Sequence, residues 1–152
     1  MFKTISLAAV FTTFAATAFA CPDWQADANF GDLHLTANFT PDPYEVETVA
    51  GGDIDVSTCI EGAYGYVTSN PDFDFYWDGE SSTGELYIKF VGAGDTTMLI
   101  NGPDEDWFFN DDADGVDPIV KIDNPGEGLY SVWIGTVDQQ PVTGTFQISE
   151  LP

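Results

Sequence analysis

Beyond residue 30 the chain alternates apolar and polar side chains at period two over short stretches and shows almost no helical spacing. Leu33, Leu35, Ala37 and Phe39 alternate with His34, Thr36, Asn38 and Thr40 as far as Pro41, the pattern of a half-buried strand with its stop signal. Tyr44 to Val49 alternates before Gly51 and Gly52, and Ile54 with Val56 follows. Phe73, Phe75 and Trp77 are interleaved with Asp72, Asp74 and Tyr76; Leu86, Ile88 and Phe90 are interleaved with Tyr87 and Lys89. Ile119 to Ile122 reads as a short strand, Tyr130, Val132 and Ile134 as a clear one, and Phe146 with Ile148 as the last. Between them, Thr96 to Asp117 reads as a β-hairpin that empties into an acidic loop. It consists of Met98, Leu99 and Ile100, a Gly102, Pro103, Asp104 turn, the aromatic run Trp107, Phe108 and Phe109, and then acidic and amide residues from Asn110 to Asp117. Some eight or nine strands at intervals of about 8 to 12 residues, punctuated by Gly, Pro, Asn and Asp, predict an all-β fold: a single antiparallel β-sandwich with one core.

The N-terminus departs from this pattern. Met1 to Ala20 carries Lys3, an apolar segment from Ile5 to Phe19 and an Ala-x-Ala end at Ala18 and Ala20, which reads as a signal peptide cleaved after Ala20. Nothing after Ala20 approaches the roughly 20 apolar residues of a spanning helix. The remaining 132 residues, 21–152, suit one domain and are too few for two. A secreted or periplasmic location follows, with no membrane span. There the two cysteines, Cys21 and Cys59, are expected to pair and close a loop worth roughly 4 kcal/mol on the chain-entropy model. Acylation of Cys21 is the alternative, although a lipoprotein signal more usually places an aliphatic and then a small residue where Ala18 and Phe19 stand.

Charge narrows the partners. The chain has 26 Asp plus Glu against three Lys and no Arg, a formal net charge of −23 that becomes −24 once Lys3 is removed. Nucleic acid and anionic membranes are excluded as natural partners, because phosphate binding needs Lys and Arg to release counterions. Disorder is excluded too, since a chain that is 43% hydrophobic and 14% aromatic has ample material for a core. Most individual carboxylates belong to a solvated coat whose self-repulsion salt relieves.

From Phe73 to Leu151 the order of motifs resembles the bacterial pre-peptidase C-terminal domain family. The motifs are the aromatic strand FDFYW, the strand TTMLI, an Asn-Gly-Pro-Asp turn, an aromatic strand running into NDDADG, then GEGLYSVWIG and a final TFQIS. The resemblance implies a secreted jelly-roll-like sandwich that is not itself catalytic, often appended to exported hydrolases, with some relatives that bind matrix polymers or calcium. This chain carries no protease domain ahead of the motifs, and no calcium ligand of those relatives is carried over to it.

Candidate chemistry concentrates in the acidic loop. Asn110, Asp112 and Asp114 lie two residues apart with Gly115 next, a spacing by which oxygen ligands wrap calcium; Asp111 and Asp117, or Asp104 and Asp106 from the hairpin turn, would complete the set. An EF-hand is rejected, because the position of its bidentate Glu is Lys121. Catalysis is not supported. The sole His is His34, mid-strand on a polar face, and there is no Gly-x-Ser-x-Gly elbow, zinc ligand set or Asp-Thr/Ser-Gly pair. Trp107 and Trp133 are candidate ligand-binding rings. Trp133 falls on the face opposite Tyr130, Val132 and Ile134, where it either stacks on a polymer or packs beneath a loop or the N-terminal segment held by Cys21 and Cys59. The residues therefore predict a non-enzymatic, monomeric, exported binding or interaction module for a protein or polysaccharide, with calcium as a candidate stabiliser. The alternatives are a carbohydrate- or matrix-binding accessory domain using surface aromatics, or a purely structural acidic envelope protein.

Overall fold

The structure, a computed structural model, describes residues 20–152; the export-signal reading of Met1 to Phe19 lies outside the described residues. Eleven strands follow one another: β1 Asp32–Thr36, β2 Tyr44–Ala50, β3 Ile54–Asp55, β4 Tyr66–Val67, β5 Phe73–Asp78, β6 Glu85–Gly92, β7 Thr96–Asn101, β8 Trp107–Asn110, β9 Ile119–Asp123, β10 Gly128–Thr136 and β11 Val142–Ser149. Among the described residues no helix is long and apolar enough to cross a membrane. Strand β3 keeps only the start of the Ile54 and Val56 reading, and β4 is the strand with no counterpart in the sequence pattern, because two residues are too few to show a period. Strand β1 stops at Thr36 although alternation continues to Phe39, since Asn38 turns into the left-handed region at φ 60°.

One sheet has four strands in the order β2-β11-β6-β9, all antiparallel. The other has seven: β1, β5, β10, β7 and β8 side by side, with β4 meeting the end of β10 and β3 pairing β4. Its β1–β5 pair is parallel, the one departure from antiparallel pairing. Alternation now explains the core. The four-stranded sheet sends Leu86, Ile88, Phe90, Val120, Ile122, Phe146 and Ile148 inward, and the seven-stranded sheet sends Leu35, Phe73, Phe75, Trp77, Met98, Ile100, Tyr130, Val132 and Ile134 to meet them. Phe73 stacks on Phe146 across the sheets at 4.5 Å, and Phe75 on Tyr130 within one sheet at 4.8 Å.

Strand β7 is buried at all six positions, which period-two alternation with one wet face does not allow. A second apolar cluster accounts for it. Leu99 and Trp133 leave the outer face of the seven-stranded sheet and are sealed by Val56, Ala63 and Val67, with Ile54, Ile60, Trp107 and Phe109 around them. The cover is the segment 54–67. Asp55 caps its single 3₁₀ turn, Val56–Thr58, by accepting from the Ser57 N–H at 3.0 Å. Gly135 of β10 lets the cover approach, because a Cβ there would lie 2.7 Å from the Tyr66 carbonyl oxygen and 2.9 Å from a Val67 methyl.

Over the same face runs a strap, residues 21–31. The Cys21–Cys59 disulfide joins its start to the cover, so neither thiol is left to carry an acyl anchor. Asp23 N–H donates to the Ser69 carbonyl at 2.8 Å, Asn29 N–H to Pro71 at 2.7 Å and Phe30 N–H to Asp72 at 2.9 Å. The Trp133 indole N–H reaches the same Ser69 carbonyl, at 3.4 Å. Trp133 is therefore not a surface ring. Of the two packings the sequence left open, the structure has the one beneath the loop and the disulfide-tied segment, because β10 carries apolar residues on both faces.

Truncating Trp133→Ala is expected to cost about 3–5 kcal/mol by emptying this second cluster. Urea unfolding measures it, and a loss under about 1 kcal/mol would show the ring lies outside packed structure.

Candidate functional site

Because β10 runs antiparallel to β5 and β7, and β6 to β9, the connections 79–84, 102–106 and 124–127 emerge at the same end of the sandwich. Loops gathered at one end of a sandwich are where recognition is usually built. Glu150, 2% exposed, ties this end together. Its carboxylate accepts from the Asn38 N–H at 2.5 Å, the Ser82 N–H at 2.7 Å and the Ser81 hydroxyl at 3.0 Å. Burial pushes its pKa up, and these hydrogen bonds outweigh that, so the group sits below the usual Glu range and stays ionised.

Three clefts open among these loops. One of about 390 Å³ lies between the 102–106 turn and β9, lined by Asp104, Asp106, Lys121, Asp123 and Tyr130 among others. A second of about 580 Å³ separates Glu80 and Ser81 from Asn124 to Glu127. The third, about 320 Å³, sits on the outer face of the seven-stranded sheet and is lined by Trp24, Asn101, Pro103, Glu105, Glu127, Leu129 and Ser131. All three border the connection from Asn124 to Gly128, so they cluster at this end of the sandwich.

The region is acidic. Glu80, Asp104, Glu105, Asp106, Asp123 and Glu127 line it, and its one cation, Lys121, is already engaged: Nζ lies 2.5 Å from Glu85 and 2.9 Å from Asp123. Those carboxylates hold Lys121 well above the ordinary Lys range. Tyr130, raised by its burial, keeps its proton and donates it to the Gly126 carbonyl at 3.0 Å. What the arrangement offers is acceptors, a few fixed donors and partly exposed apolar surface; none of the three clefts is lined by His or Cys.

The sequence-predicted calcium residues lie elsewhere. The loop from Asn110 to Asp117 joins β8 to β9 at the opposite end of the sandwich, so Asp104 and Asp106, at the near end of β8, do not join it. Asn110 Oδ1 accepts from the Ile119 N–H at 2.9 Å, Asp117 Oδ1 from the Gly92 N–H at 3.0 Å, and Asp111 from the Tyr64 hydroxyl. Asp112 and Asp114 are exposed. Among the described residues no group of three or more His, Cys, Asp or Glu side chains is placed to hold a metal ion. As folded, the set does not fit calcium; calcium at this loop is a proposal that requires the loop to rearrange.

Trp107 and Trp133 do meet, with ring centroids 5.6 Å apart, but as part of the second core and not as an open platform. Trp107, half-buried, is the one near the third cleft, because its register partner is Asn101. His34 is exposed on β1 and stacks on Tyr76, its register partner, at 5.4 Å. Sequence reasoning missed Trp24, Asn101 and Asp72. Trp24 stands in a strap with no periodicity, Asn101 ends a run buried on both faces, and Asp72 looks like one more polar position before an alternating strand.

Asp72 is 1% exposed where the strap, the 68–72 loop and β10 meet. Its Oδ2 accepts from the Ile134 N–H at 2.7 Å; Oδ1 lies 3.3 Å from the Thr68 hydroxyl and 3.5 Å from the Asn29 amide. Burial pushes its pKa up to about 7, with these bonds opposing.

Solved structures similar to the chain include two from bacteria. Against a periplasmic inhibitor of g-type lysozyme, PliG of Aeromonas hydrophila, the identity is 12%, with a TM-score of 0.42 over 82% of this chain and 98% of that one. The pre-peptidase C-terminal domain of a Bacillus anthracis collagenase, a domain of the kind the motif order resembles, gives 11%, 0.42, 82% and 98%. Likeness at this level carries no weight for the site or its ligand. No protein-family model matches the chain, and no curated protein matches it by sequence.

Two outcomes are expected. The folded chain holds the Asp72 proton up to about pH 7 while the unfolded chain releases it near pH 4. The associated stability, roughly 4 kcal/mol, is thus present below about pH 4 and lost as pH rises through 7. Unfolding free energies between pH 4 and 8 should fall more steeply for the wild type than for Asp72→Asn, and parallel curves would refute the assignment. Second, millimolar calcium is expected to raise the melting temperature no more than magnesium at equal concentration, and a calcium-specific rise with a titration heat would show that the loop rearranges to bind.

Proposed function

We propose that this chain is an exported, non-catalytic β-sandwich binding module that meets its ligand at the end where the three clefts converge. The observation that carries the reading is that convergence: every cleft described shares the Asn124 to Gly128 connection, on a rim fixed by Glu150. Export is supported by the signal-like Met1 to Ala20 and by the Cys21–Cys59 disulfide, a bond that persists outside the cytoplasm. Residues 21–152 are then the working unit. A binding role fits a region rich in acceptors and apolar edges, and the sole His, stacked on Tyr76, is not among the residues lining it. The six carboxylates repel anionic ligands and favour neutral or cationic ones. The ligand is a protein or a polysaccharide.

The test is retention on immobilised neutral polysaccharides, chitosan and basic proteins. Substituting Asp104→Asn, Asp106→Asn and Glu127→Gln together should weaken retention at least tenfold, while Lys89→Gln and Val91→Thr on the four-stranded sheet should not. Retention insensitive to the first set, or turnover of a substrate, would overturn the proposal.

A further inference from the structure

Resting on that reading, we infer that the outer face of the seven-stranded sheet beside the third cleft is a docking surface for a cationic protein, which lays apolar side chains flanked by arginines along the row His34, Tyr76, Leu129 and Trp24. Alternation builds the row. The β1–β5–β10 register places His34, Tyr76 and Leu129 side by side, on the face opposite the core residues Leu35, Phe75 and Tyr130. His34 stacks on Tyr76 at 5.4 Å, and Leu129 shares the walls of the third cleft with Trp24, so the row runs from β1 to the strap. Tyr76 is 41% exposed, Leu129 40% and Trp24 38%. Exposed apolar side chains scattered singly are ordinary, whereas several in line on a rigid sheet make a contact surface, and Tyr and Trp are the side chains that anchor such contacts.

Charge selects the partner. On one side of the row lie Asp32 and Asp74, register partners on β1 and β5; on the other lie Asp78 of β5 and Glu127 just ahead of β10. Glu105 joins them at the third cleft. Asp27 of the strap is close enough to Asp74 to act on it: burial first, then the charges of Asp32 and Asp27, push the Asp74 carboxyl above the usual Asp range. Among the described residues no cation answers these carboxylates on their own face. Lys89 and Lys121 both project from the four-stranded sheet around the Tyr87 ring, and Lys121 is paired with Glu85 and Asp123. An apolar row between anionic ones matches a surface that carries arginine, whose guanidinium stacks on a Tyr or Trp ring and reaches a carboxylate beside it. A second copy of the chain would set acidic rows against acidic rows, and a neutral polysaccharide would leave them uncompensated.

The experiment titrates the purified, disulfide-bonded protein with a short peptide alternating arginine and leucine, with versions in which glutamate replaces arginine or serine replaces leucine, and with deacetylated chitotetraose, following residue signals by NMR. The expected result is saturable, salt-weakened movement of the Tyr76, Leu129 and Trp24 signals with the arginine–leucine peptide, at least tenfold weaker binding of the arginine–serine version, and none of the glutamate version. Tyr76→Ser with Leu129→Ser should weaken binding at least tenfold at an unchanged melting temperature, and Asp32→Asn with Asp78→Asn should flatten its salt dependence. Val49→Thr with Val91→Thr, exposed on the other sheet, should change neither. Movement spread evenly over the carboxylates of both sheets, which net charge alone would produce, overturns the inference. So does tighter binding of deacetylated chitotetraose along the same row, or a dimer in sedimentation that the Tyr76 and Leu129 substitutions dissolve. Movement confined to Asp104, Asp123, Glu80 and Asn124 also overturns it, while leaving the loop end as the binding region. No movement anywhere overturns it as well, and the retention assay then decides the loop-end reading by itself.

Discussion

Strand β10 is apolar on both faces over its second half, and the rest of the structure answers to that. Val132 and Ile134 face the core between the sheets, while Trp133, between them in sequence, must face the other way. A sandwich of two sheets has no place for a buried tryptophan on an outer face unless a third layer covers it. The segment 54–67 is that layer, and it is thin: two two-residue strands that pair with each other and one 3₁₀ turn. Its attachment to the strap through Cys21 and Cys59, and the strap's hydrogen bonds to Ser69, Pro71 and Asp72, hold it over Trp133 and Leu99.

Where that cover ends, the outer face changes character, and recognition becomes feasible. The boundary runs along Asp74, Ser131 and Asn101, the first half-buried and the other two buried at the margin of an apolar patch. Beyond it the strap brings Trp24, and the connections at the same end of the sandwich bring six carboxylates with one cation already paired. Rigid strands thus position groups that no single loop holds. The acidic loop from Asn110 to Asp117 stands at the far end and spends its polar atoms on closing β8 against β9 and β6.

Alternation in sequence was enough to read the two sheets and the inward sets, because Phe73, Phe75 and Trp77, or Leu86, Ile88 and Phe90, have polar neighbours that leave no doubt which side is wet. It was also enough to mark Trp133 as facing away from the core, while the even cysteine count in an exported chain paired Cys21 with Cys59. What alternation does not carry is the identity of a covering segment: Val56, Ala63 and Val67 share no period, and their partners are more than thirty residues away in the chain. The candidate site was barely legible for a related reason. Asn101 looks like the end of a hydrophobic run and Trp24 like part of a loose N-terminus, and only the register of β7 on β10 brings them to one cleft. The dense run of Asp between Asn110 and Asp117 drew attention as chemistry because carboxylates close in sequence need not be close in space with free oxygens.

A thin third layer, fastened at Cys21 and Cys59, seals Trp133. Native-state hydrogen exchange of the Trp133 indole N–H, compared between oxidised and reduced protein, tests it most directly. Reduction is expected to accelerate exchange of this indole and of the amides in 54–67 and 21–31, with the amides of β2, β6 and β11 unchanged. An indole that exchanges equally fast in both forms, or a loss of protection spread evenly over both sheets, would contradict it.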